Sequence, residues 1–287
     1  MTRIAFVNGR YVPFAQACVH VEDRGLQFAD SVYEVCAVSD GLALERDAHL
    51  ARLERSLIEL EQGSPMSRLA MAGHIDRMIS LNRIRNGIVY IQVTRGVARR
   101  DHPFPVQTVH PTLIMTARRT DPVRASEMAA RGIAVKTMPD IRWGRCDIKT
   151  TALVANVLAK QEARASGAYE AWLVDEAGLV TEGASSNAWI VDSEGTLVTR
   201  SLSHDILPGI TRASILALAR ERQMAVVERA FTVEEALCAR EAFITSAGAF
   251  VMPVVAIDGR PVGPGVPGPV ASSLRRDYIR SHMQTKN

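Results

Sequence analysis

Two short turns constrain this chain more than any other feature. Asn8-Gly9 separates the run Ile4–Val7 from Arg10–Val12, and Asp40-Gly41 separates Ser31–Val38 from Leu42–Leu44. Such dipeptides between short apolar runs favour two-residue hairpins, so the N-terminal part must be built on antiparallel strand pairs. The stretch VEDRGLQFAD between the hairpins reads as a polar, turn-rich link. Helical periodicity then takes over from Asp47 to Gln62, with Leu50, Leu53, Leu57, Ile58 and Leu60 in phase, and a second helix is expected over 66–81. Strands are expected at 87–96 and 112–117. Residues 1–118 therefore form a small, strand-rich α+β domain.

The charged, proline-broken stretch around Arg118–Arg124 lacks periodicity, and we place an interdomain linker at 119–125. Residues 126–287 form a larger domain. It has expected strands at 133–137, 170–175, 187–192, 196–199, 225–229, 241–245 and 251–257. Its expected helices are at 151–165, 211–222, 233–239 and 268–281.

Composition narrows the function classes. A chain of 287 residues with 47% hydrophobic and 23% charged content can bury a substantial core. A net charge of +3 without a dense basic block argues against nucleic acid. MTRIAFVNGRYVPF lacks the apolar run of a signal peptide, and no stretch reaches membrane-spanning length, so a cytoplasmic protein with no membrane partner is expected. Cys18, Cys36, Cys146 and Cys238 are widely spaced with no CxxC pair; they read as buried thiols, neither a disulfide framework nor a metal site.

Chemistry points to one amine. The chain has four lysines, at 136, 149, 160 and 286. Lys286 lies in the polar tail, Lys160 opposite the apolar stripe of its helix, and Lys136 closes a short strand. Lys149 follows the extended run Cys146-Asp147-Ile148 and precedes a helix that Thr150 or Thr151 can cap. Leu153, Val154, Val157 and Leu158 give that helix an apolar stripe, and Gly167 stops it. Most lysines are solvated surface groups, but one held at such a strand-to-helix junction can be desolvated and lose rotamer freedom, which are the needs of a Schiff-base lysine.

Other groups are ambiguous one at a time. Leu207-Pro208-Gly209-Ile210-Thr211-Arg212 opens a helix with free backbone N–H groups and a threonine, an anion site by dipole and donors. Ile244-Thr245-Ser246-Ala247-Gly248 ends a strand in small residues and offers a second set of amides. Glu182, between an apolar strand and a Gly/Ser turn, is either a functional carboxylate or one satisfied by its own turn. Arg100-Asp101-His102 is either a ligand-binding segment or a solvated loop. Arg52 shares a helix face with His49 and either reaches an anion or pairs with Asp47 or Glu45. One constrained lysine, a phosphate cradle, an arginine and a carboxylate for a pyridinium nitrogen are together what pyridoxal phosphate requires.

The segments EDRGLQFADSVYEV, HLARLERS, YIQVTRGVARRDHPFP, IRWGRCDIKTTALVANVLAKQEA, VTEGASSN, ILPGITR and ITSAG carry a resemblance. In this order, across residues 4 to 282, the chain resembles the fold type IV family of pyridoxal-phosphate enzymes, and within it the D-amino acid aminotransferases. The resemblance implies a two-domain α+β fold with the cofactor between the domains. It makes Lys149 similar to the lysine of the internal aldimine, which also shuttles the substrate proton, and Glu182 similar to the carboxylate on the pyridine nitrogen. Arg52, Ile210, Thr211 and the Ser246-Ala247 turn resemble the phosphate ligands, and Leu207 the residue packed on the ring. Tyr33, Arg100 and His102 resemble the trap for the substrate carboxylate, in which the family supplies the arginine and histidine from the neighbouring subunit of a homodimer.

Four positions depart from the family pattern. Ala29 and Ser31 stand where glycines are frequent, Ala184 where a serine is, and Ala247 where a hydroxyl residue is. The implied reaction is transamination of D-alanine or D-glutamate with 2-oxoglutarate or pyruvate. Branched-chain L-aminotransferase and 4-amino-4-deoxychorismate lyase chemistry on the same fold are the rivals; Arg100 and His102 with Tyr33 argue against both.

Overall fold

The computed structural model describes residues 3–283, and Lys286 lies outside them. Two compact units emerge: the chain up to Asp121 together with Ile148–Ala152, and Pro122–Asp147 with Leu153 onward.

The first unit contains β1 (Ile4–Val7), β2 (Arg10–Pro13), α1 (Arg24–Phe28), β3 (Ser31–Ser39), β4 (Leu42–Ala43), α2 (Arg46–Glu59), α3 (Arg68–Leu81), β5 (Gly87–Thr94) and β6 (Thr112–Arg119). The strands form an antiparallel sheet in the order β2-β1-β6-β5-β3-β4. Both expected hairpin turns form, with positive φ at Asn8 and Gly9 and at Asp40 and Gly41. Leu50, Leu53 and Leu57 of α2 and Ile75 and Met78 of α3 pack with Phe6, Val32, Cys36, Val89 and Ile91 of the sheet. Ile58, one position beyond that stripe, is 74% exposed.

The link between the hairpins is not purely turn. Asp23 accepts from the Gly25 N–H and caps α1, which ends at Ala29 in the left-handed region. Gly25 is required there, since a Cβ would lie 2.4 Å from Thr94.

Strand β3 has β4 beside it only at Val38 and Ser39. The open edge of its first half is taken by residues 149–151: the Tyr33 N–H donates to the Lys149 carbonyl at 2.9 Å, and the Thr151 N–H donates to the Ser31 carbonyl at 3.1 Å. This pairing carries Ile148–Ala152 out of its sequence neighbourhood and into the first unit.

The second unit runs α4 (Pro122–Arg131), β7 (Ile133–Pro139), α5 (Val154–Ala165), β8 (Glu170–Val174), β9 (Val180–Gly183), β10 (Asn187–Val191) and β11 (Leu197–Thr199). It continues with α6 (Ile210–Glu221), β12 (Val226–Glu228), α7 (Val233–Cys238), β13 (Glu241–Ser246), β14 (Phe250–Ile257), β15 (Arg260–Pro261) and α8 (Pro269–Met283). Its mixed sheet has the order β12-β11-β10-β13-β14-β7-β8-β9, with β15 on β14. Along β10, Trp189 and Val191 face a core shared with Ile215 of α6 and Leu274 of α8, while Ala188 and Ile190 face a second core with Trp172 and Phe231. A strand covered on both faces reads as an unbroken apolar run, which AWIV is.

The two units divide between Asp121 and Pro122, inside the expected linker at 119–125, where β6 ends at Arg119 and Pro122 opens α4, a position at which a missing N–H costs nothing. One local expectation is corrected. The helix after Lys149 starts at Val154, with no side-chain cap, because the Thr151 hydroxyl is engaged by Ser31 and the Thr150 hydroxyl accepts from the Ala152 N–H. Its buried face is Ala159 and Ala163, whereas Val154, Val157 and Leu158 of the expected stripe are 73%, 63% and 57% exposed.

Candidate active site

In the first unit Lys149 lies in the irregular segment before α5, half-buried, with its Nζ 4.4 Å from the centroid of the Tyr33 ring. Its backbone is fixed by the bond from Tyr33 and by its own N–H, which donates to the Ser56 hydroxyl of α2 at 3.5 Å. The short bridge on β3, rather than an extended run from Cys146, thus sets its position. The Tyr33 ring stacks at a tilt on Tyr90 at 5.6 Å.

Arg52 lies one turn before Ser56 on α2 and is 8% exposed. It pairs with Glu34, where the sequence offered Asp47 or Glu45. Alternation along β3 turns Glu34 inward beneath α2, where Arg52 donates from Nε at 2.7 Å and from Nη2 at 2.8 Å to its two oxygens. His49 Nδ1 stands 2.7 Å from the same carboxylate. Burial pushes the Glu34 carboxyl up, but the Arg52 charge and the bonds from Arg52 and His49 outweigh it and bring the pKa to about 2. Arg52 therefore offers an oriented, charge-balanced guanidinium rather than an isolated positive charge.

Arg100 and His102 lie in the exposed segment after β5. Both rest on Phe28: the Arg100 Cζ is 5.2 Å from the ring centroid, and the His102 ring is 5.5 Å away.

In the second unit Glu182, at the end of β9, is 5% exposed and gathers N–H donors from three elements. Arg142 Nη1 forms a short ion pair with Oε1, while Asn187 Nδ2 at 2.9 Å and the Leu207 N–H at 3.1 Å donate to Oε2. Three N–H donors suit an ionised, acceptor-only carboxylate. Arg142 is itself held by Asp140, at 2.9 Å from Nε and 2.7 Å from Nη2. Glu182 is thus held by groups well beyond its own turn.

Asn187 also donates to the Leu207 carbonyl at 3.0 Å, tying β10 to the loop before α6. Gly209 follows, and a Cβ there would stand 2.0 Å from Asn187 Oδ1. Among the described residues, none caps the N-terminus of α6 by its side chain and none partners the Thr211 hydroxyl, in a residue 2% exposed. A buried orphan hydroxyl beside uncapped helical N–H groups fits a bound phosphate. Asn187 pairs with Thr245 across β10 and β13, which puts the Ser246-Ala247 turn one residue beyond that pair. The Ser246 hydroxyl accepts from the Ala249 N–H at 3.2 Å, so this turn is braced by its own serine. The residues present fit the group the sequence implied.

The family model for class IV aminotransferases matches residues 31–257. The chain belongs to the class IV aminotransferases. This class IV aminotransferase is 39% identical over 269 residues to the D-alanine aminotransferase of Bacillus licheniformis, a match covering 93% of both chains. It is 38% identical to the D-alanine aminotransferase of Staphylococcus haemolyticus over 97% of both chains. Among solved structures, a branched-chain amino acid aminotransferase from T.th., with pyridoxamine 5′-phosphate, superposes at a TM-score of 0.88. It is 27% identical, with 98% of this chain and 94% of that one covered. The branched-chain enzyme of Escherichia coli shares the fold at a TM-score of 0.90, with 24% identity and 98% and 95% coverage. The expected fold type IV architecture is thereby established.

Arg142 and Asn187 support Glu182, and Glu34 orients Arg52, roles that the sequence did not suggest. Arg142 and Asn187 sit inside IRWGRCDIK and TEGASSN, so the signal was present in motifs read only for their lysine and glutamate. Cysteine burial is also corrected: Cys36 is buried, Cys146 half-buried, and Cys18 and Cys238 are exposed.

Proposed function

We propose that this class IV aminotransferase moves the amino group of D-amino acids, D-alanine and D-glutamate among them, to 2-oxo acids such as 2-oxoglutarate or pyruvate, using pyridoxal 5′-phosphate. The observation that carries the cofactor is the unpartnered Thr211 hydroxyl at the uncapped start of α6, two residues beyond the Gly209 that meets the Glu182–Asn187 pair. The D-amino acid preference is supported by curated relatives at 36–39% identity over more than nine-tenths of the chain, each named D-alanine aminotransferase. Likeness to branched-chain enzymes is 24–27%.

When bound, pyridoxal phosphate supplies an electron sink for a breaking Cα–H bond. Lys149 Nζ would be the amine that holds it covalently and the base that moves the Cα proton. Glu182 would keep the ring nitrogen protonated, itself held by Arg142, Asn187 and the Leu207 N–H. Thr211, the N–H groups of Ile210 and Thr211, the Ser246-Ala247 turn and Arg52 would hold the phosphate, and Leu207 would pack on the ring. Tyr33, with Arg100 and His102 of a second copy, binds the substrate carboxylate. Exposure of Val154, Val157 and Leu158 on α5 supports a homodimer, since an apolar stripe of this kind is costly to leave in water. A cytoplasmic location accords with the described residues, where no helix is long and apolar enough to cross a membrane.

Borohydride reduction followed by peptide mapping tests the assignment. The label is expected on Lys149; a label on Lys136 or Lys160 contradicts it.

A further inference from the structure

Arg24 is the first residue of α1, and its side chain is nearly inaccessible, at 3% exposure. A buried arginine must have its donors satisfied, so where they point is informative. Nε donates to Asp30 Oδ2 at 2.8 Å. The other two nitrogens leave the helix and meet the exposed segment after β5: Nη1 donates to the Asp101 carbonyl at 2.6 Å and Nη2 to the His102 carbonyl at 3.2 Å. One planar fork thus grips two successive carbonyls, between and beside the side chains of Arg100 and His102.

The fork is itself anchored. Asp30 also receives Arg95 Nε at 2.7 Å and Gln62 Nε2 at 3.0 Å, and Arg95 in turn donates to the Leu60 and Glu61 carbonyls. The helix is docked on the same segment by the Arg24 N–H, which donates to the Gly96 carbonyl at 2.9 Å. Arg24 Cζ lies 4.8 Å from the centroid of Phe28, the ring on which Arg100 and His102 also rest. Residues 99–104 are exposed throughout, so their register depends on these few bonds.

We infer that Arg24 is the positioning residue of the carboxylate trap, its fork on the Asp101 and His102 carbonyls fixing where Arg100 and His102 project. This rests on the reading that Arg100 and His102 bind the substrate carboxylate. Arg24 acts through the Asp101 and His102 carbonyls and is not among the residues assigned to substrate or cofactor. A lysine at this position keeps the charge beside Asp30 but lacks the planar fork, so it cannot hold both carbonyls at once.

The test is a double-mutant cycle on the holoenzyme. Arg24→Lys is expected to raise the KM for D-alanine about tenfold, the worth of one to two hydrogen bonds. kcat, the cofactor absorbance and the rate with (R)-1-phenylethylamine, which has no carboxylate, are expected to stay within about twofold. The dissociation constant of propionate, an unreactive carboxylate, should rise in step when measured by calorimetry. In an Arg100→Ala background Arg24→Lys should add less than about twofold to KM, because the group it positions is gone. If Arg24→Lys fails to fold, Phe28→Leu removes the shared ring without touching a buried charge and should give the same split between KM and kcat. Effects that multiply independently, or an unchanged KM in Arg24→Lys or its substitute, overturn the inference alone. An unchanged KM in Arg100→Ala overturns the carboxylate reading and the inference with it.

Discussion

At the scale of single residues, two carboxylates are held by donors from distant parts of the chain. Glu34 is fully buried, and its partners lie on α2. Its pKa falls from 4.5 to about 2, so the folded state gains stability that is complete above the unfolded value of 4.5. That stability is lost as pH drops through the folded value. Urea unfolding between pH 5 and pH 2 should therefore show a progressive fall that Glu34→Gln lacks, while Glu34→Gln is weaker at pH 7 by roughly 3–5 kcal/mol, the cost of breaking a buried pair. Glu182 makes a different prediction. Glu182→Gln should slow Cα deprotonation about 10²–10³-fold, the scale of one misplaced electrostatic group in an active site. If only the melting temperature drops and the rate per folded enzyme is unchanged, Glu182 is structural. The Glu182 partners Arg142 and Asn187 lay within motifs the sequence singled out, whereas the Glu34 pairing was not legible. Arg52 and Glu34 are 18 positions apart, and the local candidates Asp47 and Glu45 were the natural guess.

Elements were legible where their cause is local. The turns at Asn8-Gly9 and Asp40-Gly41 demand positive φ at both positions, and the leucines of α2 mark its buried side without any tertiary information. Helix α5 shows the limit of that argument: periodicity located an apolar stripe, but the chain packs the helix through Ala159 and Ala163. The segment 148–152 was illegible for a related reason, since its pairing with β3 is long-range. The start of α6 yields the sharpest prediction at this scale. Gly209→Ala drives a methyl group into Asn187, which should loosen both the Glu182 pair and the helix N-terminus. Cofactor affinity, followed by titrating apoprotein with pyridoxal phosphate and reading absorbance, should weaken about tenfold or more while the far-ultraviolet circular dichroism is retained.

For the whole molecule, the family is secured by matches running almost end to end, and the open matter is which enantiomer the site accepts. With Lys149 as the proposed base for the Cα proton, handedness follows from where the carboxylate is anchored. Tyr33, Arg100 and His102 anchor it on one side in this account, with Arg24 and Phe28 holding the loop that carries two of them. The decisive measurement is the initial rate of amino transfer to 2-oxoglutarate from D-alanine, L-alanine and L-leucine under identical conditions. A strong preference for D-alanine over both L-amino acids is expected. Faster transamination of L-leucine than of D-alanine would contradict it and assign the chain to branched-chain chemistry.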